Sequence, residues 1–137
     1  MESSRAWELL KTAAVAVLGT VNQDGSVHLV PFTYVTIDGP DPFLVSAIDE
    51  KPKRGRDLRR LDNIHRDPRV TILAHHYEAD WSRLWWVRAT GSATVWKDPP
   101  AAAQRALIDK YPDYEEQVLG PWIIIRLDRI SGWSSIE

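Results

Sequence analysis

The chain has 137 residues, of which 44% are hydrophobic and 26% are charged, and its formal net charge is -2. This length predicts one domain over residues 1–137, and the composition is typical of a globular protein rather than a disordered or fibrous one. The net acidity argues against a general polyanion binder. The absence of cysteine excludes disulfides and thiolate chemistry.

No segment predicts membrane insertion. The longest apolar run is Ala13 to Leu18, which is far too short to cross a bilayer. The first residues, MESSRAWELLKT, lack the layout of a secretory signal. We therefore expect a cytoplasmic protein.

The first half of the chain predicts a helix followed by three strands. Ser3 or Ser4 can cap a short helix that places Trp7 and Leu10 on one face. The turn Asn22-Gln23-Asp24-Gly25 and the turn Asp38-Gly39-Pro40-Asp41 then separate predicted strands at Ala13–Val21, Val27–Val35 and Phe43–Ile48. The three strands predict an antiparallel meander. Because Pro31 donates no ladder hydrogen bond, the second strand should be at an edge, bulged or facing a ligand.

The second half predicts alternating helices and strands. Asp57 is placed to cap a helix with Leu58, Leu61 and Ile64 on one face and Arg59, Arg60, His65 and Arg66 on the other. Asp98 and Pro99 are placed to begin a second helix that runs to Lys110, and a brief helical piece is expected at Tyr114–Leu119. The strands are predicted at Val70–His75, Leu84–Trp96 with a bend at Gly91, and Trp122–Ile130. These elements predict a mainly β fold, a six-stranded antiparallel β-barrel with short helices.

A basic run from Lys51 to Arg69 joins two of the predicted strands. It holds eight of the 17 Lys and Arg residues. A basic loop that leads from a strand into a helix offers both cations and free backbone N–H groups, a combination that suits phosphate. The run therefore predicts a phosphate-binding loop. The alternative is a solvated basic helix without a ligand.

Other polar residues give weaker indications. Ser46, near the end of the third strand, could contact phosphate or could simply be a small residue in a packed strand. His75 and His76 are adjacent on a strand and point to opposite faces, so no metal site is predicted. His28 is interpreted as a surface or partner-facing residue, and the sequence reveals no clear general base.

The chain contains seven tryptophans, which are its second feature, after the basic run, that indicates a function. Trp81, Trp85 and Trp86 cluster where a loop enters a strand. Because neighbours on a strand face opposite ways, one of Trp85 and Trp86 can enter the core while the other meets a partner subunit or planar ligand. A planar aromatic ligand with a phosphate tail would account for both the tryptophans and the basic loop, and a flavin-type cofactor has that shape.

Three stretches resemble the split β-barrel superfamily of pyridoxamine 5'-phosphate oxidase-like flavin and deazaflavin proteins. They are AVLGTVNQDGSVHLVPFTYV at Ala16–Val35, VSAIDEKPKRGRDLRRLDNIHRDPRVTIL at Val45–Leu73, and DWSRLWWVRATGSATV at Asp80–Val95. The basic linker followed by Asp-Pro-Arg, and the third stretch, are most similar to the actinobacterial branch assigned to coenzyme F420.

The resemblance implies a split-barrel homodimer with the cofactor in a groove between subunits. It places the cofactor phosphate on Lys51, Lys53 and Arg54, with Arg56 and Arg60 as further candidates. It places the ring along Val30, Pro31 and Phe32, with Trp81 or Trp85 nearby. The implied activity is F420-dependent hydride transfer to or from a small conjugated or unsaturated substrate.

Three alternatives remain open on the sequence alone. The first is an FMN-binding oxidase or reductase of the same fold. The second is a barrel that stores or binds a cofactor without turnover. The third is a single-stranded nucleic-acid binder, which the acidity and the lack of basic residues on the first two strands oppose.

Overall fold

The computed structural model describes residues 1–49 and 58–136. Its helices are α1 (Ser3–Thr12), α2 (Leu58–Arg66) and α3 (Ala103–Lys110), and its strands are β1 (Ala16–Val21), β2 (Val27–Phe32), β3 (Val35–Ile37), β4 (Phe43–Asp49), β5 (Arg69–His76), β6 (Trp85–Trp96) and β7 (Leu119–Ser134). Short 3-10 turns lie at Trp81–Arg83 and Pro112–Tyr114. No helix among the described residues is long and apolar enough to cross a membrane.

The seven strands form one antiparallel sheet in the order β2-β1-β5-β6-β7-β4-β3. In a flat sheet the six gaps would separate β2 from β3 by roughly 29 Å. Yet Phe32 ends β2 and Val35 begins β3, and three Cα steps span at most about 11 Å. The sheet must therefore curl until its two edges approach each other, which makes it a barrel.

The barrel interior holds the main hydrophobic core. Alternate strand residues point into it, among them Leu18, Ile72, Val87 and Ile125, each with 0% exposed surface. Helix α1 adds Ala6, Leu9 and Leu10, and helix α2 adds Leu61 and Ile64. These two helices supply apolar faces that the strands alone do not provide.

The outer face of the sheet is covered on one half. Helix α3 packs Ala103 and Leu107 against Val45, Trp122 and Ile124 of strands β4 and β7, which forms a second apolar cluster. On strands β2 and β5 the outward side chains are exposed, as in the alternating burial of β5. The described part of the chain thus leaves one half of the sheet uncovered.

The prediction of a mainly β barrel is confirmed, although the strand count is seven rather than six. The predicted strand Val27–Val35 is divided, because the chain leaves one edge of the sheet at Phe32 and re-enters at the other edge at Val35. The predicted meander is therefore wrong. Strand β2 pairs with β1, and β4 pairs with β3 and β7.

Two helix predictions also need correction. Helix α3 begins at Ala103, after Ala102 adopts a left-handed φ of 67°, rather than at Pro99. The predicted helix at Tyr114–Leu119 is replaced by the 3-10 turn Pro112–Tyr114 and the start of β7. Pairing with β4 and β6 extends β7 well beyond the predicted strand.

The two glycine-dependent features of the sheet are confirmed. Gly25 has a φ of 89° in the turn between β1 and β2, where the Asn22 N–H donates to the Ser26 carbonyl oxygen at 2.8 Å. The pairing of β6 with β7 shifts register between Thr90 and Gly91. A Cβ at Gly91 would overlap the Arg126 carbonyl oxygen, so only glycine allows this close approach.

The segment Thr33–Tyr34, which we call the crossover, carries the chain between the two sheet edges. Side chains satisfy its backbone: Ser46 Oγ donates to the Thr33 oxygen at 2.7 Å, and the Tyr34 N–H donates to Tyr111 Oη at 3.2 Å. Lys110 Nζ donates to the Tyr34 oxygen at 3.0 Å and lies 4.3 Å from the centre of the Tyr34 ring. These contacts replace the ladder bonds that the crossover lacks.

We predict that the protein gains stability relative to its Lys110→Met variant as the pH rises from about 7.5 to about 9.5, by roughly 1 to 2 kcal/mol. Burial lowers the pKa of Lys110 to about 8 in the folded chain, against an ordinary value of 10.5. The unfolded chain therefore binds more protons over this interval, and raising the pH favours the folded state. Urea unfolding of both proteins at the two pH values measures the difference. An identical pH dependence in both would contradict the prediction.

Candidate functional site

Strand β2 has the edge position that Pro31 predicts. Among the described residues β2 pairs only with β1, and Pro31 lies opposite Val17. Its outward residues Val27, Leu29 and Pro31 are exposed, whereas its inward residues are half-buried or buried. An edge strand with one free side can accept a ligand or another chain along its length.

The residues of β2 that were predicted to contact the cofactor ring lie on both faces of the strand. Phe32 is buried, with 3% of its surface exposed, and its ring stacks on Tyr34 with centroids 4.9 Å apart. Val30 packs partly against the main core, and Pro31 is exposed on the outer face. The structure thus places Phe32 in the core, with Pro31 and part of Val30 accessible.

Ser46 lies inside the sheet. It is 1% exposed, and its hydroxyl donates to the Thr33 carbonyl oxygen. This placement favours the reading of Ser46 as a small residue in a packed strand. Its hydrogen bond joins β4 to the crossover at the end of β2.

The basic run separates into residues with different surroundings. Lys51, Lys53, Arg54 and Arg56 lie outside the described residues. Arg59 is exposed and makes no hydrogen bond or ion pair within the described part of the chain. The prediction that Arg60 lies on the face of the helix opposite Ile64 is wrong, because Arg60 is only 9% exposed and lies on the same face as buried Asn63 and Ile64.

Two further cations of the run have structural partners. The Arg66 guanidinium donates to the Asn63 side-chain oxygen at 3.0 Å and to the Val21 carbonyl oxygen, which ties α2 to the end of β1. Arg69 forms an ion pair with Asp67 at 2.7 Å. Hydrogen bonds from Arg69 lower the pKa of Asp67 to about 2. These two arginines are engaged within the chain rather than held ready for an external phosphate.

The interpretation of His28 as a surface residue needs correction, because its side chain is half-buried. It faces inward on β2 opposite Thr20, and its Nδ1 atom is buried with no hydrogen-bond partner among the described residues. Burial lowers the pKa of His28, and the charges of Arg59 and Arg60 lower it further. The one-in-two alternation of β2 places His28 on the inner face. Only the packing of α2 brings the two arginines beside it.

A polar cleft separates the β1–β2 turn from α2. It has a volume of about 470 Å³, and its lining includes Asn22, Asp24, Arg59 and Asn63. Asn63 donates to Thr20 Oγ1 and to Asn22 Oδ1, each at 3.0 Å, so the floor of the cleft is held by a buried amide. Two exposed cations, Arg59 and Arg66, line the cleft together with the carboxylates of Asp24 and Asp62.

The three clustered tryptophans have different environments. Trp81 is 77% exposed on a 3-10 turn, whereas Trp85 packs partly against the main core. Trp86 lies between His75 of β5 and Trp133 of β7 in the strand register. Trp85 and Trp86 therefore face opposite ways, as expected, with Trp85 toward the core and Trp86 outward, and both are half-buried.

The uncovered half of the sheet carries an apolar surface on strands β2, β1 and β5. We call this the outer patch, and it consists of Val17, Val27, Leu29, Pro31 and Leu73. Val27 and Leu29 are 63% and 66% exposed. The register places Leu29 opposite Gly19 and Val27 opposite Val21, on the same face as a groove of about 450 Å³ that reaches Thr71, Thr90 and Gly91.

The titratable groups near β2 favour binding over acid–base chemistry. The described residues contain no cluster of three or more His, Asp or Glu side chains that could hold a metal ion. The charged side chains near this end of β2 are Arg59 and Arg60 beside His28, and the carboxylates of Asp24 and Asp62 lie across the cleft. The arrangement can hold a charged ligand beside an edge strand.

Solved structures share this fold over nearly the whole chain. A conserved hypothetical protein from Mycobacterium tuberculosis is 20% identical, with a TM-score of 0.75, over 98% of this chain and 86% of the other. A FAD-binding protein from Mesorhizobium loti is 17% identical, with a TM-score of 0.69, over 96% of this chain and 92% of the other. The FAD binding protein from Mycobacterium smegmatis is 21% identical, with a TM-score of 0.63, over 97% of this chain and 96% of the other.

No curated protein matches the sequence significantly. The family profile described as "Pyridoxamine 5'-phosphate oxidase" matches residues 4–133, which is almost the entire chain. The match covers the barrel strands, the basic run and the tryptophan-rich corner. The chain therefore belongs to the pyridoxamine 5'-phosphate oxidase family.

Proposed function

We propose that this protein is an F420-dependent oxidoreductase that transfers hydride between the deazaflavin and a small conjugated or unsaturated substrate. The proposal depends on the arrangement of side chains where β2 lies beside α2. There an edge strand lies next to Arg59 and Arg60, and the buried His28 Nδ1 has no partner among the described residues. The basic residues of segment 51–56 lie between β4 and α2 in the sequence.

These residues fit the anionic part of such a cofactor. A phosphate beside α2 would meet the Arg59 guanidinium and could supply the polar partner that His28 Nδ1 lacks. The segment before α2 in the sequence would add four more cations, Lys51, Lys53, Arg54 and Arg56. Pro31 and the accessible part of Val30 would lie along the ring, with Trp81 as a further neighbour.

When bound, the cofactor supplies hydride chemistry at its ring carbon. The protein then needs only to orient the ring and the substrate and to exclude competing water. Cations and apolar side chains around the cofactor can do this without a general base. The described side chains at the end of β2 beside α2 include both kinds.

A second candidate is an FMN-dependent oxidase or reductase. Two of the similar structures are described as FAD-binding proteins, which supports a flavin in general. The density of charge favours F420, because its phosphate and glutamate tail carry more negative charge than FMN. Lys51 to Arg60 holds six cations in ten residues, more than a single phosphate monoester requires.

We predict that the protein binds F420 more tightly than FMN, and that added salt weakens F420 binding more steeply. Several partly exposed ionic contacts are screened within a Debye length of roughly 8 to 10 Å. Tryptophan-fluorescence titration with each cofactor at several salt concentrations measures both slopes. A protein that is isolated yellow with FMN, and that binds F420 no better than FMN at low salt, would establish the FMN alternative instead.

We predict that Lys53→Ala and Arg54→Ala each weaken cofactor binding by about tenfold to a hundredfold, because a charge-assisted contact contributes roughly 1.5 to 3 kcal/mol. Folding should be unaffected. Arg5→Ala, which removes an exposed cation of α1, is the matched control and should bind as the wild type does. Wild-type affinity in the Lys53→Ala/Arg54→Ala double variant would show that the phosphate is held by other residues.

We also propose that the protein is a homodimer and that the outer patch is its interface. Val27 and Leu29 lie at a free sheet edge with most of their surface exposed, in line with Val17 and Leu73 on the next strands. A continuous apolar face at an edge strand promotes association. A two-fold axis would let the same patch cover itself on a second copy. The cofactor strand β2 would then border the partner subunit.

We predict that Leu29→Arg converts the dimer to a monomer. Two copies of the substitution would remove two leucine burials and place like charges together, which weakens association by at least about a hundredfold. Val118→Arg is the matched control, because Val118 is 65% exposed and lies away from the patch. Sedimentation velocity at micromolar concentration distinguishes the species. A monomeric wild type with cofactor bound would refute the interface.

A further inference from the structure

The outer face of strands β5, β6 and β7 carries aromatic side chains next to cations. The strand register aligns its outward residues in three rows: His75, Trp86 and Trp133, then Leu73, Arg88 and Ser131, then Thr71, Thr90 and Arg129. The residues between them on β6 are buried in the barrel, so Trp86 and Arg88 lie on the outside. Trp133 is 41% exposed. We call Trp86, Trp133, Arg88 and Arg129 the Trp–Arg surface.

Arg88 stacks on its aromatic neighbour in the same strand. Its guanidinium carbon lies 5.1 Å from the centre of the Trp86 ring, a distance at which the cation is attracted to the ring face. Stacking occupies the flat face of the guanidinium and leaves its N–H edges available. Arg88 makes no hydrogen bond or ion pair within the described part of the chain. A planar fork of donors held in this way fits a carboxylate or a phosphate.

Arg129 adds a second cation beside the first. Arg88 lies opposite Ser131, and Arg129 lies opposite Thr90, so the two arginines are diagonal neighbours at roughly 7 to 8 Å. Arg129 is exposed and has no ion pair among the described residues. The hydroxyls of Ser131 and Thr90 likewise have no hydrogen-bond partner in that part of the chain. Two guanidinium groups and two hydroxyls therefore share one small area of the surface.

Acidic side chains neutralise this surface only in part. None of the residues in the three rows is Asp or Glu. Asp128 lies where the register of β6 and β7 shifts, at the edge of the groove that reaches Thr90, and is placed to offset the charge of Arg129. Glu78, after β5, is paired with His76. Arg88 has no acidic neighbour in these rows, although the formal net charge of the chain is -2.

From these contacts we infer a second ligand site on the Trp–Arg surface, which takes a small planar aromatic ring that bears a carboxylate or a phosphate. The exposed indole of Trp133 offers a stacking surface for the ring. Arg88 binds the anionic group, with Arg129 beside it. Trp133 and Arg88 are both neighbours of Trp86, which sets a distance of roughly 5 to 8 Å between the ring and the anion.

This site is separate from the proposed cofactor site, and the inference does not rest on the proposed function. In the strand register, Arg88 lies opposite Leu73, and Leu73 lies opposite Val17. Val17 in turn lies opposite Pro31 on β2. Three interstrand spacings, roughly 14 Å along the sheet, therefore separate Arg88 from the proposed ring strand. Both sites of one chain can be filled together.

Two pairs of ligands that differ only in the anionic group provide the test. They are indole-3-acetate with indole-3-acetamide, and 5'-AMP with adenosine. Isothermal titration calorimetry would measure each ligand with the wild type, in the absence and presence of saturating F420. We expect at least one anion to bind about tenfold or more tightly than its neutral partner, and equally well with F420 present. The pair with the larger preference shows whether carboxylate or phosphate is favoured.

Two variants assign this preference to the surface. Arg88→Gln should weaken binding of the anion by about tenfold and leave the neutral ligand within about twofold of wild type. Trp133→Leu should weaken both members of a pair by about fivefold or more, because both stack on the indole. The matched controls are Arg5→Gln, an exposed arginine of α1, and Trp96→Leu, a tryptophan 43% exposed at the other end of β6. Both controls should bind as the wild type does, and thermal unfolding shows that each variant is folded.

Several results would overturn the inference. They are wild-type affinity for the anion in Arg88→Gln, equal binding of the anion and its neutral partner, and a dissociation constant above about 1 mM for both anions. Competition by F420 would place the anion in the cofactor site instead. A second copy is the other possible occupant: a wild type that binds no anion, with Trp133→Leu monomeric in sedimentation velocity, would make this surface a subunit contact. Absence of F420 and FMN binding with a retained anion preference refutes the proposed function alone.

Discussion

The two-residue crossover between β2 and β3 is the constraint on which the rest of the structure depends. Because the chain passes from one edge of a seven-stranded sheet to the other between Phe32 and Val35, the sheet has to close on itself. Closure creates the interior that Leu18, Ile72 and Ile125 fill. It also leaves backbone groups of Thr33 and Tyr34 outside any ladder, and Ser46, Lys110 and Tyr111 satisfy them.

The helices divide the barrel into surfaces with different uses. Helices α1 and α2 contribute apolar side chains to the interior, and α3 covers the outside of β4 and β7. The outside of β2, β1 and β5 remains exposed with Leu29 and Val27 at its edge. A chain of this size can leave such a surface open if a second copy covers it, and the proposed ligand strand then lies at the same boundary.

The described cations of the basic run differ in their surroundings. Arg66 and Arg69 are engaged with Asn63 and Asp67, and Arg60 is buried, whereas Arg59 remains exposed. Helix geometry separates Arg59 from Arg60, because only residues three or four positions apart share a face of a helix. Arg60 shares the face of α2 that packs on the barrel, and Arg59 does not. Burial lowers the pKa of His28 on β2, and the charges of Arg59 and Arg60 on α2 lower it further.

The sequence by itself determined the β-rich class, the Asp24-Gly25 turn and the bend at Gly91, because each depends on local backbone preferences or on alternation within one strand. It limited Pro31 to an edge, a bulge or a ligand-facing position, and the sheet order decided for the edge. It also determined that Trp85 and Trp86 face opposite ways. Only the tertiary structure decided that Val27–Val35 is two strands at opposite edges, that Arg60 is buried and that His28 lies beside two arginines. These depend on which distant elements pack together, and such pairing is set by closure of the whole sheet rather than by any local pattern.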